Sequence, residues 1–324
     1  FFQAEDGIRD GERSRGLGDV YKRQGSNVVD GLIEAGYEVV VVDNLVTGRR
    51  ENVNPKARFY EVDILSPELE EVFERERPDY VNHHAAQINV RRSVEDPLYD
   101  AKVNVLGSVN LLELCRRYGV KKVIYASSGG AVYGEPEYLP VDEDHPIRPL
   151  SPYGVSKHAV EHYLHFYAVN YGLRYTVLRY PNIYGPRQDP RGEAGVVAIF
   201  TDKMLKGERP VIFGDGTQTR DYVYVGDIVT ANLLAMEKGD GEIYNVGTAV
   251  ETSVNELFRM LREIIGVDLE PIYGERRLGE VYRICVTNDK IYRDFGWKPQ
   301  TSLREGLERT VEYYLREKRG EGRA

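Results

Sequence analysis

Tyr153 and Lys157 stand four residues apart at the start of an expected helix, so both side chains project from one face. A phenol with an unperturbed pKa near ~10 is a poor base at neutral pH, and a neighbouring ammonium stabilises its anion. The pair suits general acid/base chemistry, with Lys157 tuning Tyr153. Tyr-x-x-x-Lys also arises by chance, as a solvated pair on a helix surface. Its context adds weight here. Lys122 to Ala126 reads as a strand and runs into Ser127-Ser128-Gly129-Gly130, which sets hydroxyls at the carboxyl edge of a sheet, where ligands of open α/β sheets lie.

Asp43 ends the apolar run Glu38 to Asp43 and follows Gly25 by 18 residues. In dinucleotide-binding folds an acidic residue ending the second strand accepts hydrogen bonds from the adenosine ribose and favours NAD over NADP. Taken alone, Asp43 reads as a turn cap at a strand end. Gly25, opening a helix, would be the last glycine of a Gly-x-x-Gly-x-x-Gly loop whose first two glycines are absent. His83 and His84 are adjacent on an expected strand and point to opposite faces, so they do not suit one metal ion. No metal site is expected. Cys115 and Cys285 match no ligand or disulfide pattern and read as small buried hydrophobes.

The elements that must position these groups alternate. Ser26 to Ala35 reads as a helix ending at Gly36, and Glu38 to Asp43 as a strand buried on both faces. Strand Arg58 to Val62, helix Pro67 to Arg75, strand Tyr80 to Ala85 and helix Leu98 to Tyr118 follow. Strand Lys122 to Ala126, helix Ser151 to Tyr171 and strand Arg174 to Arg179 complete the series. The expected fold class is α/β, a doubly wound parallel sheet. A Rossmann-like NAD-binding domain is expected over 25–180, with 222–250 returning to it, and a smaller mixed C-terminal lobe over 181–324. The final helix, Leu303 to Glu317, is expected to pack through Leu307, Val311 and Leu315.

Residues 1–24 differ in texture: ten are charged, four are Gly, and no periodicity runs through them. They read as a foreign segment outside the fold, standing where the first strand and glycine loop belong, so poor NAD retention is expected of the chain as written. The 324 residues carry a net charge of -9, and the five acidic and five basic residues of 1–24 cancel. A nucleic-acid partner is not expected for so acidic a body, and anionic ligands must be met by local Arg or Lys. No run approaches the ~18 apolar residues of a membrane helix, so a soluble, cytoplasmic protein without a membrane partner is expected.

Asp43-Asn44-Leu45, His84-Ala85-Ala86-Gln87, Asn104 with Gly107, Val132-Tyr133-Gly134 and Ser151-Pro152-Tyr153-Gly154-Val155-Ser156-Lys157 together resemble the extended short-chain dehydrogenase/reductase superfamily. Arg179-Tyr180-Pro181-Asn182, Tyr184-Gly185-Pro186-Arg187-Gln188, Gly214-Asp215-Gly216, Arg220-Asp221-Tyr222-Val223, Asn245-Val246-Gly247 and Arg277-Leu278-Gly279-Glu280 resemble its UDP-glucose 4-epimerase branch. The resemblance covers Gly25 to Leu315 and implies NAD as cofactor, a UDP-hexose as substrate and a homodimer packed through helices Leu98 to Tyr118 and Ser151 to Tyr171.

By that resemblance Gly25, Asp43, Asn44, Asp63, Ile64, Ala85, Ala86, Gln87, Asn104, Tyr180 and Lys157 would bind the cofactor. Tyr153 would be the acid/base, with Ser128 or Ser127 as its hydroxyl partner. Asn182, Val197, Arg220 and Arg277 would hold the substrate, the two arginines clamping its diphosphate in bidentate forks. Tyr153 would take the proton of the sugar 4-hydroxyl as hydride leaves C4 for NAD, and the 4-keto sugar would turn before the hydride returns. The usual Ser/Thr position of the family falls on Gly129, so the role passes to Ser128. Pro181 would stiffen the substrate loop, and Ile284 falls near the position that shapes the sugar pocket. Alternatives on the same scaffold are UDP-glucuronate or UDP-N-acetylhexosamine epimerases, dehydratases or decarboxylases, and a non-catalytic NAD-binding protein. Dehydratases place an Asp-Glu pair where this chain has Gly129-Gly130.

Overall fold

Valine builds the middle of the sheet. Val39 to Val42 are all buried in Glu38–Asp43, since β-branched side chains fit a pleated surface covered on both faces. The computed structural model describes residues 2–3, 15–18 and 23–320, except 47, 189, 191–194 and 277–280. Seven parallel strands run in the order Glu242–Asn245, Arg174–Tyr180, Lys122–Ser128, Tyr80–His83, Arg15–Gly18, Glu38–Asp43 and Arg58–Glu61. Counted along the chain this is 7-6-5-4-1-2-3, the doubly wound order, whose direction of winding reverses beside the first strand.

That first strand corrects the expectation that residues 1–24 lie outside the fold. Arg15–Gly18 pairs in parallel with Glu38–Asp43 on one side and with Tyr80 to Asn82 on the other. Phe2–Gln3 crosses antiparallel, with Phe2 opposite Arg15 and Tyr80, and Gln3 opposite Glu38. A central gap would leave backbone N–H and C=O groups of two buried strands unpaired, and any extended backbone can satisfy them whatever its side chains.

One sheet face is covered by helices Arg23–Glu34 and Val225–Glu237, where Val28, Val29 and Leu32 meet Ile228 and Ala231. The other is covered by Glu68–Glu76, Gly107–Tyr118 and Pro152–Tyr171. The expected helix Leu98 to Tyr118 is broken into Pro97–Ala101, a π turn Lys102–Leu106 and Gly107–Tyr118. Gly107 lets the last of these approach the loop after Arg58–Glu61, for a Cβ there would stand 2.6 Å from Ile64 Cδ1. Helix Pro152–Tyr171 begins on Ser151, whose hydroxyl accepts from Gly154 N, and ends at Gly172 with φ +72°.

Beyond the sheet, helices Val196–Leu205, Val254–Ile265 and Leu303–Lys318 enclose a separate apolar core. Ser253 and Glu256 cap the second of them reciprocally. In the last, Leu307 and Val311 are buried as expected but Leu315 is exposed, and Tyr314 packs instead. Strand Glu242–Asn245 returns to the main sheet beside Arg174–Tyr180. No helix among the described residues is long and apolar enough to cross a membrane.

Candidate active site

The carboxyl ends of the parallel strands open into a cavity of about 1030 Å³. Asp43, Asn44, Asp63, Ile64, Ala85, Ala86, Gln87, Ser127, Ser128, Tyr153, Lys157, Tyr180 and Asn182 all line it. The size is at the top of the range for small-ligand sites, ~300 to 1,000 Å³.

Asp43 is buried at the end of its strand and accepts from Leu45 N through Oδ1 at 2.8 Å. Asn44 Nδ2 donates to Asp63 Oδ2 at 2.7 Å, which ties the ends of two adjacent strands together. Gln87 is set from behind by Asn104, which holds both of its backbone groups: Gln87 N donates to Asn104 Oδ1 at 2.6 Å, and Asn104 Nδ2 donates to Gln87 O at 2.9 Å. Asn104 thus supports the wall from within the π turn and is not on it, contrary to its expected place on the cofactor.

Tyr153 and Ser128 lie together on the cavity wall, with the serine hydroxyl placed to act on the phenol. Burial raises the Tyr153 phenol to about 12, Ser128 pulls it back down, and the Asp100 carboxylate pushes it up. The two serines divide cleanly. Ser127 Oγ donates to the buried Glu161 Oε1 at 2.6 Å on the helix side, while Ser128, the last residue of its strand, faces Tyr153. Lys157 Nζ donates to Ala126 O at 2.8 Å and lies 4.9 Å over the Tyr125 ring. Ser128 acts downward on the phenol, and Lys157 lines the same wall. Gly154 makes the arrangement possible, for a Cβ there would stand 2.5 Å from Ala131 O.

Beneath the two serines runs a buried polar chain that the sequence reading missed. Arg179 donates to Glu161 through Nε at 3.0 Å and Nη2 at 2.6 Å, and through Nη1 to Tyr133 OH at 2.8 Å. His158 Nδ1 lies 2.9 Å from Glu161 Oε2. Burial opposes the charge of Glu161, but Arg179, His158 and Ser127 hold its carboxyl at about 2. Its signal was the four-residue spacing from Lys157. Asp100 was missed likewise. It stands four before Asn104, and its Oδ1 accepts from Gln87 Nε2 at 2.9 Å and Asn104 Nδ2 at 3.1 Å.

Other expected site residues are not on the wall. Gly25 is buried in the first turn of Arg23–Glu34, and its neighbour Gln24 lines the cavity. Val197 is buried in the core of the outer lobe. Arg220 Nη1 donates to the carbonyls of Thr219 and Tyr282 at 2.8 and 3.1 Å. Arg277 lies outside the described residues. A guanidinium that does reach the cavity is Arg187, paired with Asp30 at 2.5 Å while its buried Nη1 has no hydrogen-bond partner. Ile284 is buried among Val132, Tyr133 and Val286. His83 contacts Ser108 Oγ at 2.8 Å and His84 stacks on Tyr180. Among the described residues no group of three or more His, Cys, Asp or Glu could hold a metal ion.

The profile of the NAD dependent epimerase/dehydratase family matches residues 24–247. The chain belongs to that family. It is 55% identical over 289 residues, 89% of this chain and 94% of the relative, to a putative UDP-glucose 4-epimerase of Methanocaldococcus jannaschii. Among solved structures, the UDP-glucose 4-epimerase of Thermotoga maritima with UDP-glucose superposes with a TM-score of 0.92 at 53% identity, over 94% of this chain and 99% of that one. The Thermus thermophilus UDP-glucose 4-epimerase in complex with NAD gives 0.88 at 44% identity, over 94% and 99%. Family membership accounts for the doubly wound sheet, and the cavity falls at its carboxyl edge.

Proposed function

We propose that this protein is an NAD-dependent UDP-glucose 4-epimerase, interconverting UDP-glucose and UDP-galactose by inversion at C4. The observation that carries the proposal is the placement of Tyr153, Ser128 and Lys157 on one wall of a cavity that begins at the Asp43 carboxylate. Identity above 50% to a relative and a structure of that name supports the choice of sugar.

The residues fit the cofactor. Asp43 offers a buried carboxylate to ribose hydroxyls, Ala85 to Gln87 provide a main-chain wall, and Lys157 would hold the second ribose. Bound NAD supplies the reversible hydride acceptor. Tyr153 takes the proton of the sugar 4-hydroxyl and gives it back, and Ser128 orients the phenol and stabilises its anion. Asn182 and Arg187 face the cavity on the substrate side, where a guanidinium suits a diphosphate. Arg220 and Arg277 would close on the same group.

Exposed Leu98, Val155, Phe166 and Val169 give the helices on that sheet face an apolar stripe fit for a second copy, so the working unit is a homodimer. Free, buried Cys115 and Cys285 accord with a cytoplasmic enzyme. The test is incubation with NAD and UDP-galactose, followed by chromatographic separation of the nucleotide sugars. UDP-glucose is the expected product. A 4-keto-6-deoxy sugar, a UDP-pentose, or turnover of UDP-glucuronate with UDP-galactose untouched would overturn the assignment.

A further inference from the structure

Helix Pro152–Tyr171 carries His158 and His162 one turn apart, and their Nε2 atoms lie 3.1 Å from each other. His158 is fixed from below: its Nδ1 is 2.9 Å from Glu161 Oε2. Glu161 is ionised, since two Arg179 nitrogens also donate to it, and an ionised carboxylate can only accept. The proton of His158 therefore sits on Nδ1, and its Nε2 accepts a hydrogen bond from His162 Nε2, whose proton a bound ion would replace. A carboxylate behind a histidine in this way is the usual support of a metal-ligating imidazole. His162 is exposed and can carry its proton on either nitrogen. An Nε2 separation of 3.1 Å subtends about 98° at an ion ~2.05 Å from each nitrogen, between the square and tetrahedral angles.

We propose that His158 and His162 form a two-histidine clamp for a divalent transition metal ion such as Zn2+, with Glu161 as its supporting carboxylate and the remaining positions left to solvent. Imidazole selects such ions over Mg2+ or Ca2+. The clamp has no part in the epimerase chemistry proposed above. It joins the buried chain that ends on Ser127, so an ion there would lie two hydrogen-bonded groups from the strand end that carries Ser128.

His162 shares its helix face with Val155, Phe166 and Val169, the stripe assigned to a second copy. The test therefore uses the full chain both as wild type and as Val169→Arg, expected to be monomeric, titrated calorimetrically with ZnCl2 in a non-chelating buffer. Saturable binding of about one ion per Val169→Arg chain is expected. Adding His162→Ala should weaken it at least tenfold, whereas adding His165→Ala should change it less than twofold. Weaker binding by wild type than by Val169→Arg supports both the clamp and its burial in a dimer. Equal binding supports the clamp and counts against that dimer face. No saturable binding by Val169→Arg, equal binding of Mg2+, binding that survives His162→Ala, or an equal loss in His165→Ala overturns the clamp.

Discussion

At the scale of single residues, the proposed acid/base group is a phenol raised by burial to about 12, with a serine acting in the opposite sense. Removing the hydroxyl in Ser128→Ala takes away the stabilisation of the anion, so the phenol rises further. The ascending limb of the kcat pH profile should move to higher pH, and kcat at neutral pH should fall by about 10²-fold. Ser127→Ala should leave that limb in place, because its hydroxyl faces Glu161. Tyr153→Phe should cost about 10³-fold or more in kcat while UDP-sugar binding, read by calorimetry, persists. That Tyr153, Lys157 and the serine pair would share one cavity was legible in the sequence, because side-chain type and local spacing single them out. Which serine serves was not. It depends on tertiary partners: both serines line the cavity, but the Ser127 hydroxyl is taken by the buried Glu161 carboxylate, which leaves Ser128 to Tyr153.

At the scale of elements, the site rests on one close approach and one buried ion pair. Gly154→Ala would put a methyl group 2.5 Å from Ala131 O, a backbone atom that can yield only by moving the loop after Ser128. A loss of about 1 to 3 kcal/mol in chemical denaturation is expected, with a fall in kcat larger than the change in KM as Tyr153 and Ser128 part. Glu161 is nearly fully buried, and its carboxyl at about 2 stands below the ordinary 4.5. It releases protons on folding, so its stabilisation is complete above about pH 4.5 and is lost as pH falls towards 2. Glu161→Gln leaves Arg179 without its counter-charge and should cost about 3 to 5 kcal/mol at pH 7, and thermal melts should show a shallower acid limb than the wild type. Most elements were legible, since long apolar runs and capped amphipathic helices announce themselves. The break at Lys102–Leu106 was not, because neither Gly nor Pro interrupts Pro97 to Leu106, and the turn is held by tertiary bonds from Asn104 to Gln87.

For the whole molecule, an apolar stripe on a charged, acidic surface predicts self-association. Val169→Arg should convert a dimer to a monomer in light scattering while leaving the melting temperature of the monomer nearly unchanged, because Val169 is 69% exposed. Fold class was legible from the alternation of strands and helices, but the occupant of the central strand position was not. Arg15 to Gly18 has no period to read, and its place is set by neighbours distant in the chain. That short strand divides the sheet unequally. Seven residue pairs join Lys122–Ser128 to Arg174–Tyr180, whereas three join Gly16–Gly18 to Tyr80–Asn82. The junction is a seam, and amide protons on its two sides should exchange with solvent as separate cooperative units. The Glu38–Asp43 and Arg58–Glu61 amides, which border the adenosine end of the cavity, should open at lower free energy than those of Lys122–Ser128. Because NAD would span the seam from Asp43 to Lys157, its binding should bring the two exchange rates together, turning a ligand into a fastener of the sheet itself.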